Sequence, residues 1–465
     1  VIGRLLGAAI AALVIAPGGP ARAADAARGP EADPWARLPG ILARIRPPVF
    51  PDREFPITDF GAKRGQDATG ALRAAIEACR RAGGGRVVVP PGEFPTGPIH
   101  LESNVNLHVS EGATLLFSRD PADYLPPVRT RWEGVELMGY SPLVYAYGKT
   151  NVALTGRGTL DGQADGAHWW PWKRGEGGPD QKPDRDRLFA RAEAGVPVAE
   201  RVCGGGCALR PQFVQLYRCT NVLVEGVRIT RSPMWAIHPV LCRNVTVRGV
   251  TVASLGPNND GCDPESSTDV LVEDCLFDTG DDCIAIKSGR NADGRRLAAP
   301  SERIVVRGCR MRAGHGGVTI GSEATGGVRD VFVERCAMSS PDLERGLRIK
   351  TNARRGGRIE GVYVRDVEIG EVGSAIDVDL RYEEAADGPF APVVRDLRID
   401  RLTVGRARRA LFVRGLPGSP VEGLRLRDSV FRALAGPSRL ENVGEVVLRG
   451  VVMAPAEPAP EKEKR

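Results

Sequence analysis

The stretch NVLVEGVRI (221–229), followed by NVTVRGVTV (244–252) and DVLVEDCLF (269–277), decides the fold. Each segment has apolar residues at its second, fourth, seventh and ninth positions. The same frame returns in RIVVRGCRM (303–311), DVFVERCAM (330–338), GVYVRDVEI (361–369), DLRIDRLTV (396–404), EVVLRGVVM (445–453) and, with Ser429 at the seventh position, GLRLRDSVF (423–431). Weaker copies precede it at NVNLHV (104–109) and NVALTG (151–156). Alternation over four residues is the period of a half-buried strand, not of a helix. The break between the fourth and seventh positions is a corner, often occupied by Gly or Asp. Two short strands cannot bury a core alone, but stacked copies share one continuous core. The copies start roughly 22 to 35 residues apart, within the period of stacked-coil architectures. The Asn-Gly hairpin turns that a sandwich or propeller uses are scarce. The expectation is an all-β solenoid over residues 51–454.

The frame also accounts for cysteines. Cys275, Cys309 and Cys336 hold the seventh position in three successive copies and should stack inside as small hydrophobes. Cys219 and Cys242 share another equivalent position. Cys203 and Cys207 differ: three glycines separate them, and they read as a small disulfide loop, the favoured reading, or as half of a metal site whose partner pair is not evident. Upstream, DATGALRAAIEACRRAG (67–83) reads as a capped amphipathic helix, begun by Asp67 or Thr69 and ended at Gly83 to Gly85. Such a helix suits the end cap that an open solenoid core needs.

The chain's ends carry other signals. Residues 1–23 read as a signal peptide: Arg4, an apolar run from Leu5 to Ala16, and Ala21-Arg22-Ala23 before the cut. That run is too short to span a bilayer, and no later stretch is longer, so no membrane anchor is expected once the leader is removed. The expected address is secreted or periplasmic. Residues 24–50 read as a linker or loosely packed arm, and 455–465 as a disordered tail. The formal charge of +6 is mildly basic and compatible with a polyanionic ligand. Basic runs with interleaved aromatics are missing, which argues against nucleic acid as a partner.

A further strand recurs after the corners, and it carries the chemistry. NNDGCDPE (258–265) aligns with GDDCIAIK (280–287), then GHGGVTIG (314–321), then GLRIK (346–350). Asp260 and Asp282 fall in one column, with Asp281 and His315 in the column before. Arg348 and Lys350 sit at alternate positions and so leave the same face. Adjacent rungs lie ~4.8 Å apart, which brings these six side chains together. The alternation points Asp282 inward, so a bend at Gly280 is expected to let both adjacent aspartates reach solvent. Crowded carboxylates suit glycoside hydrolysis, in which one protonates the leaving oxygen and another activates water or attacks. Crowding pushes one carboxyl pKa upward, and Arg348 with Lys350 would hold a substrate carboxylate.

The ordered set NND (258–260), GDD (280–282), GHG (314–316) and RIK (348–350) resembles the polygalacturonase family, glycoside hydrolase family 28. FGAKRGQDATGALRAAIEAC (60–79) and SPMWAIHP (232–239) resemble its bacterial members. The resemblance covers roughly residues 55–450 and implies a right-handed parallel β-helix that hydrolyses α-1,4-galacturonan with inversion. It implies Asp281 as general acid, Asp260 and Asp282 as holders of the water, and His315 as the residue that tunes the acid. Arg348, Lys350 and Tyr382 would contact an acidic polysaccharide or oligogalacturonide. No metal or cofactor is implied. Asn259 departs from the Thr that many members carry, at a position without a chemical role.

The region 161–210 is the least family-like and holds Trp169, Trp170 and Trp172. They read either as packing anchors or as a sugar-stacking wall. An insertion beside a groove closes one end, which favours exo attack. The alternatives are a rhamnogalacturonan hydrolase of the same family, a pectate lyase, and a non-catalytic polysaccharide-binding solenoid. A lyase would want a Ca²⁺ cluster, which Asp260, Asp263 and Glu265 loosely imitate.

Overall fold

All nine copies of the apolar frame lie in register. Their second positions form one ladder: Val222, Val245, Val270, Ile304, Val331, Val362, Leu397, Leu424 and Val446. The earlier copies join it through Val105 and Val152. The computed structural model describes residues 33–384 and 387–456. The leader and the tail beyond 456 lie outside the described residues. The chain winds as a right-handed parallel β-helix, the hand that parallel crossovers adopt. A third strand per coil completes the wall: Val144–Tyr147, Val214–Tyr217, Ile237–Val240, Ile284–Ile286, Val318–Gly321 and Arg345–Lys350. Every candidate site residue lies on or just before this third face, or just after it.

The polar residues of the frame have backbone reasons. The first position is left-handed: Asn151, Asn221, Asn244, Asp269 and Asp396 all have φ between 55° and 57°. Asn and Asp tolerate that region better than other side chains. The Asn side chains then bond coil to coil, Asn221 to Asn151 at 2.9 Å and Asn244 to Asn221 at 2.8 Å. The corner is left-handed as well, as at Gly226, Gly249 and Asp274. Cys275, Cys309 and Cys336 stack inside as buried free thiols, and Cys219 stacks on Cys242.

The helix Thr69–Arg81 closes the N-terminal end of the core with Ala71, Leu72, Ala75, Ile76 and Cys79. Asp67 accepts from the Thr69 amide at 3.3 Å, next to its start. The segment read as a linker or loosely packed arm packs closely over residues 33–46. Trp35, Leu38, Ile41 and Ile45 cover Leu271, Val305, Phe332 and Tyr363 on the outside of the coils. The physical reason is that those four outward residues form an apolar patch.

A second body of structure stands beside the third face. The antiparallel strands Val128–Trp132 and Val135–Gly139, joined by Val202–Cys203, pack with the helix Gln181–Glu193. Their core is Trp132, Val135, Leu137, Leu188, Cys203, Cys207, Met234 and Trp235. Cys203 and Cys207 form the expected disulfide. This platform extends the 161–210 insertion by a hairpin that the repeat pattern did not reveal.

Candidate active site

Where the third face passes the platform, the pairings Ile237–Cys262, Cys262–Ile284 and Ile284–Val318 fix the register. Counting back along them stacks Asp260 on Asp282, and Asp281 on His315, as the alignment requires. One oxygen from each of Asp260, Asp281 and Asp282 lies within 4.8 Å of the other two. The chain comes this close only because glycines permit it. A Cβ at Gly280 would sit 2.2 Å from the Gly256 carbonyl oxygen, and one at Gly316 would sit 2.3 Å from Thr319 Oγ1.

The three carboxyls differ in their partners. Asp281 Oδ1 shares a 2.9 Å hydrogen bond with His315 Nδ1 and accepts from the Asp282 amide at 3.0 Å. Asp282 accepts from Thr319 Oγ1 at 2.9 Å, Arg348 at 3.3 Å and Lys350 Nζ at 2.7 Å. The expectation that Asp282 reaches solvent is corrected, since its exposure is 0%. A charge buried this deeply needs paired cations, and Arg348 and Lys350 supply them. Asp260 is also buried, its Oδ1 has no hydrogen-bond partner, and Lys287 Nζ is 3.7 Å from its Oδ2.

These surroundings separate the proton affinities. Burial, reinforced by the Asp263 and Asp281 charges, pushes Asp260 well above the usual carboxyl range. Burial acts the same way on Asp282, but Lys350 and Arg348 outweigh it and hold the group well below that range. At Asp281 burial is outweighed by the His315 hydrogen bond, and the carboxyl is lowered. His315 is raised by that same bond against its own burial. The two shifts are one interaction, the Asp281–His315 hydrogen bond, felt at its two ends. The raised carboxyl among the three is Asp260, not Asp281.

The groove above has a volume of about 670 Å³ and is lined by Asp260, Asp281, His315, Lys350, Tyr382 and Trp170. The Tyr382 ring lies 5.2 Å from Lys350 Nζ and 5.6 Å from the Arg348 guanidinium. All seven sequence-derived residues thus converge. The tryptophans divide between the two readings. Trp169 is buried against Tyr124 at 5.6 Å and Trp172 at 5.0 Å, so these two anchor the loop. Trp170 faces the groove and donates to the Ser232 carbonyl at 2.9 Å.

The hyperthermoactive exopolygalacturonase of Thermotoga maritima superposes with a TM-score of 0.84 at 45% identity, covering 89% of this chain and 96% of that one. The chain belongs to glycosyl hydrolases family 28. Residues 199–405 match that family directly. A probable polygalacturonase of Vitis vinifera is 28% identical over 355 residues, 74% of this chain and 66% of its own length. The exo-poly-alpha-D-galacturonosidase of Dickeya chrysanthemi is 28% identical over 356 residues, 70% of this chain and 57% of its own length. The chain thus spans less than two thirds of these two relatives.

Within this family 28 chain, Asn259 is structural. Its amide donates to the Ser232 and Met234 carbonyls at 3.0 and 3.3 Å, and its oxygen accepts from Ser254 at 2.6 Å. The lyase-like acidic set does not assemble. Glu265 is committed to Arg131 and His238, each at 2.8 Å, while Asp263 faces Lys287 at 3.5 Å. Sequence reasoning did not assign Thr319, Glu323, Trp235 or Arg210. Arg210 is fully buried and ties Asn258 to the platform, at 2.7 Å to Asn258 and 3.2 Å to Gln181. Its only sequence signal was its place at the end of the insertion.

Proposed function

We propose that the protein is an exo-acting hydrolase of α-1,4-linked galacturonan that works with inversion. The observation that carries this reading is the trio of aspartate oxygens within 4.8 Å, flanked by Lys350 and Arg348. Arg348 and Lys350 draw the carboxylate of an acidic sugar to the trio, and Tyr382 shapes that end of the groove. Asp281 faces the leaving oxygen and delivers the proton it shares with His315. Asp260, with an unpartnered oxygen and a raised proton affinity, is the stronger base and seats the attacking water. Asp282 stays ionised and stabilises positive charge as the sugar develops oxocarbenium character. The trio is tighter than the ~6.5–9.5 Å between the two carboxyls of common inverting sites. Inversion therefore rests on the family likeness and not on this spacing.

Platform residues Glu133, Arg185 and Trp235 line the groove beside the aspartates, with Trp170, and a wall of this kind supports attack from a chain terminus. The exopolygalacturonase likeness supports the same reading. The leader read at residues 1–23 supports export to the periplasm or the medium, where such a polymer would be met.

Polygalacturonate is the first substrate to try, with reducing ends, product size, ultraviolet absorbance and the first-formed anomer followed together. Monomer or dimer as the β-anomer, with slow loss of viscosity, is the expected result. A spread of oligomers overturns exo attack, and an unsaturated product overturns hydrolysis. Asp281→Asn should lower kcat about 10²–10⁴-fold, the usual share of a general acid. Activity within tenfold of the parent in a folded variant removes Asp281 from that role.

A further inference from the structure

A buried cation stands behind the aspartates, and the proposed mechanism does not use it. Lys287 follows the strand Ile284–Ile286 and is 2% exposed. Its Nζ lies 3.7 Å from Asp260 Oδ2, 3.5 Å from Asp263 Oδ1 and 3.4 Å from Glu323 Oε2. It also donates to the Gly321 carbonyl at 3.3 Å and sits 4.4 Å from the centre of the Trp235 ring. Both oxygens of Asp263 and Oδ1 of Asp260 are buried without a hydrogen-bond donor. Buried carboxylates without donors are costly, and one ammonium faces both of these as well as Glu323, which also accepts from Ser322 Oγ at 2.9 Å.

We propose that Lys287 is a positioning residue of the reaction: it holds Asp260 in place and sets its ionisation, with Asp263 and Glu323 as competing carboxyl groups. This rests on the hydrolase reading, in which Asp260 is the base. Lys287 borders the groove, but its ammonium is turned into those carboxylates and the ring of Trp235 and is almost wholly covered. The charge it opposes comes from several coils. Asp263 lies on Asp260's own coil, and Asp281 and Asp282 lie on the next. Glu323 lies one coil beyond, itself bound by Arg290 at 3.3 Å and facing Arg355. Arg348 and Lys350 act mainly on Asp282. His238, held below its usual range by burial, and the Glu265–Arg131 pair complete the surroundings.

The sign follows from these positions. Asp260 must be ionised to act as a base, so the acid limb of activity tracks its pKa. Burial and the neighbouring anions raise that pKa, and Lys287 pulls it down. Lys287→Met, which keeps the stem and removes the charge, should move the acid limb of kcat/KM upward by about one pH unit or more. It should lower kcat by about 10²-fold while KM stays within about threefold. Glu323→Gln removes a competing anion and should move the limb downward. A purely structural role does not produce opposite shifts. The measurement is the pH profile of hydrolysis of polygalacturonate by parent and variants, with thermal unfolding alongside. Limbs that stay fixed in both variants while stability falls overturn the proposal. If Lys287→Met does not fold, Glu323→Gln decides alone, and an unmoved or raised limb overturns it. A parent that releases no hydrolysis product removes the hydrolase reading and this inference with it, an outcome distinct from unshifted profiles.

Discussion

The coil interior and the platform beside it are held together by different physics. Inside the coils, one apolar ladder repeats through every turn, and loss of a methyl group is a local matter of packing. The platform has a small apolar core and a set of buried ions. Glu136 is fully buried and accepts from Tyr217 and Arg296, with Arg129 at 3.2 Å. Asp293 ties Arg201, at 2.8 Å, to the same group. These partners come from the hairpin, the third face and a helix far along the chain. The contrast teaches where sensitivity should lie, since a removed partner leaves an uncompensated buried charge in the platform and only a void in the coils.

The largest effect should come from Glu136→Gln. Breaking a buried pair costs about 3–5 kcal/mol, and the loss should appear first as proteolysis or hydrogen exchange within residues 128–210. Simultaneous exposure of coils and platform would break the distinction between them. The same group gives a pH dependence. Burial opposes its charge, but Tyr217 and Arg296 outweigh that and hold its pKa at about 2. Its unfolded value is ~4.3, so the contribution is full above that pH and is lost as pH falls towards 2. Acid should loosen the platform before the coils, as a protease pulse across that range would register.

An intermediate effect is expected where the two regions meet. A Cβ at Gly256 would lie 2.1 Å from Trp170 Cε2. Gly256→Ala should cost about 1–3 kcal/mol through overpacking and push Trp170 out of the groove edge. Longer products from polygalacturonate would tie that edge to exo attack, and an unchanged product pattern would separate the two. The smallest effect should come from the coils themselves. Ile304→Val in the ladder should cost about 0.5–1.5 kcal/mol, read by chemical unfolding, with kinetics unchanged.

The coils were legible in the sequence because their period is strict. The nine frames predicted the nine rungs, and aligning the next strand placed Asp260 over Asp282 and Asp281 over His315. Two things were not legible. The depth of Asp282 depends on Thr319, Arg348 and Lys350 closing over it from later coils, which alternation along one strand does not encode. The platform joins segments near 130, 200 and 293 through ion pairs that have no period at all. The packed arm showed only as an isolated Trp35 followed by Leu38, Ile41 and Ile45, too short a pattern to declare where it docks.

The glycine-tight third face works as a ruler. Each turn of the chain advances a side chain by ~4.8 Å along the axis and leaves its sideways position unchanged, whatever length of loop intervenes. Contacts along a polymer lying on that face would therefore be addressed by turn number. A designer could add or retune one contact by a single replacement at the equivalent place on the neighbouring turn, without redrawing the rest of the scaffold.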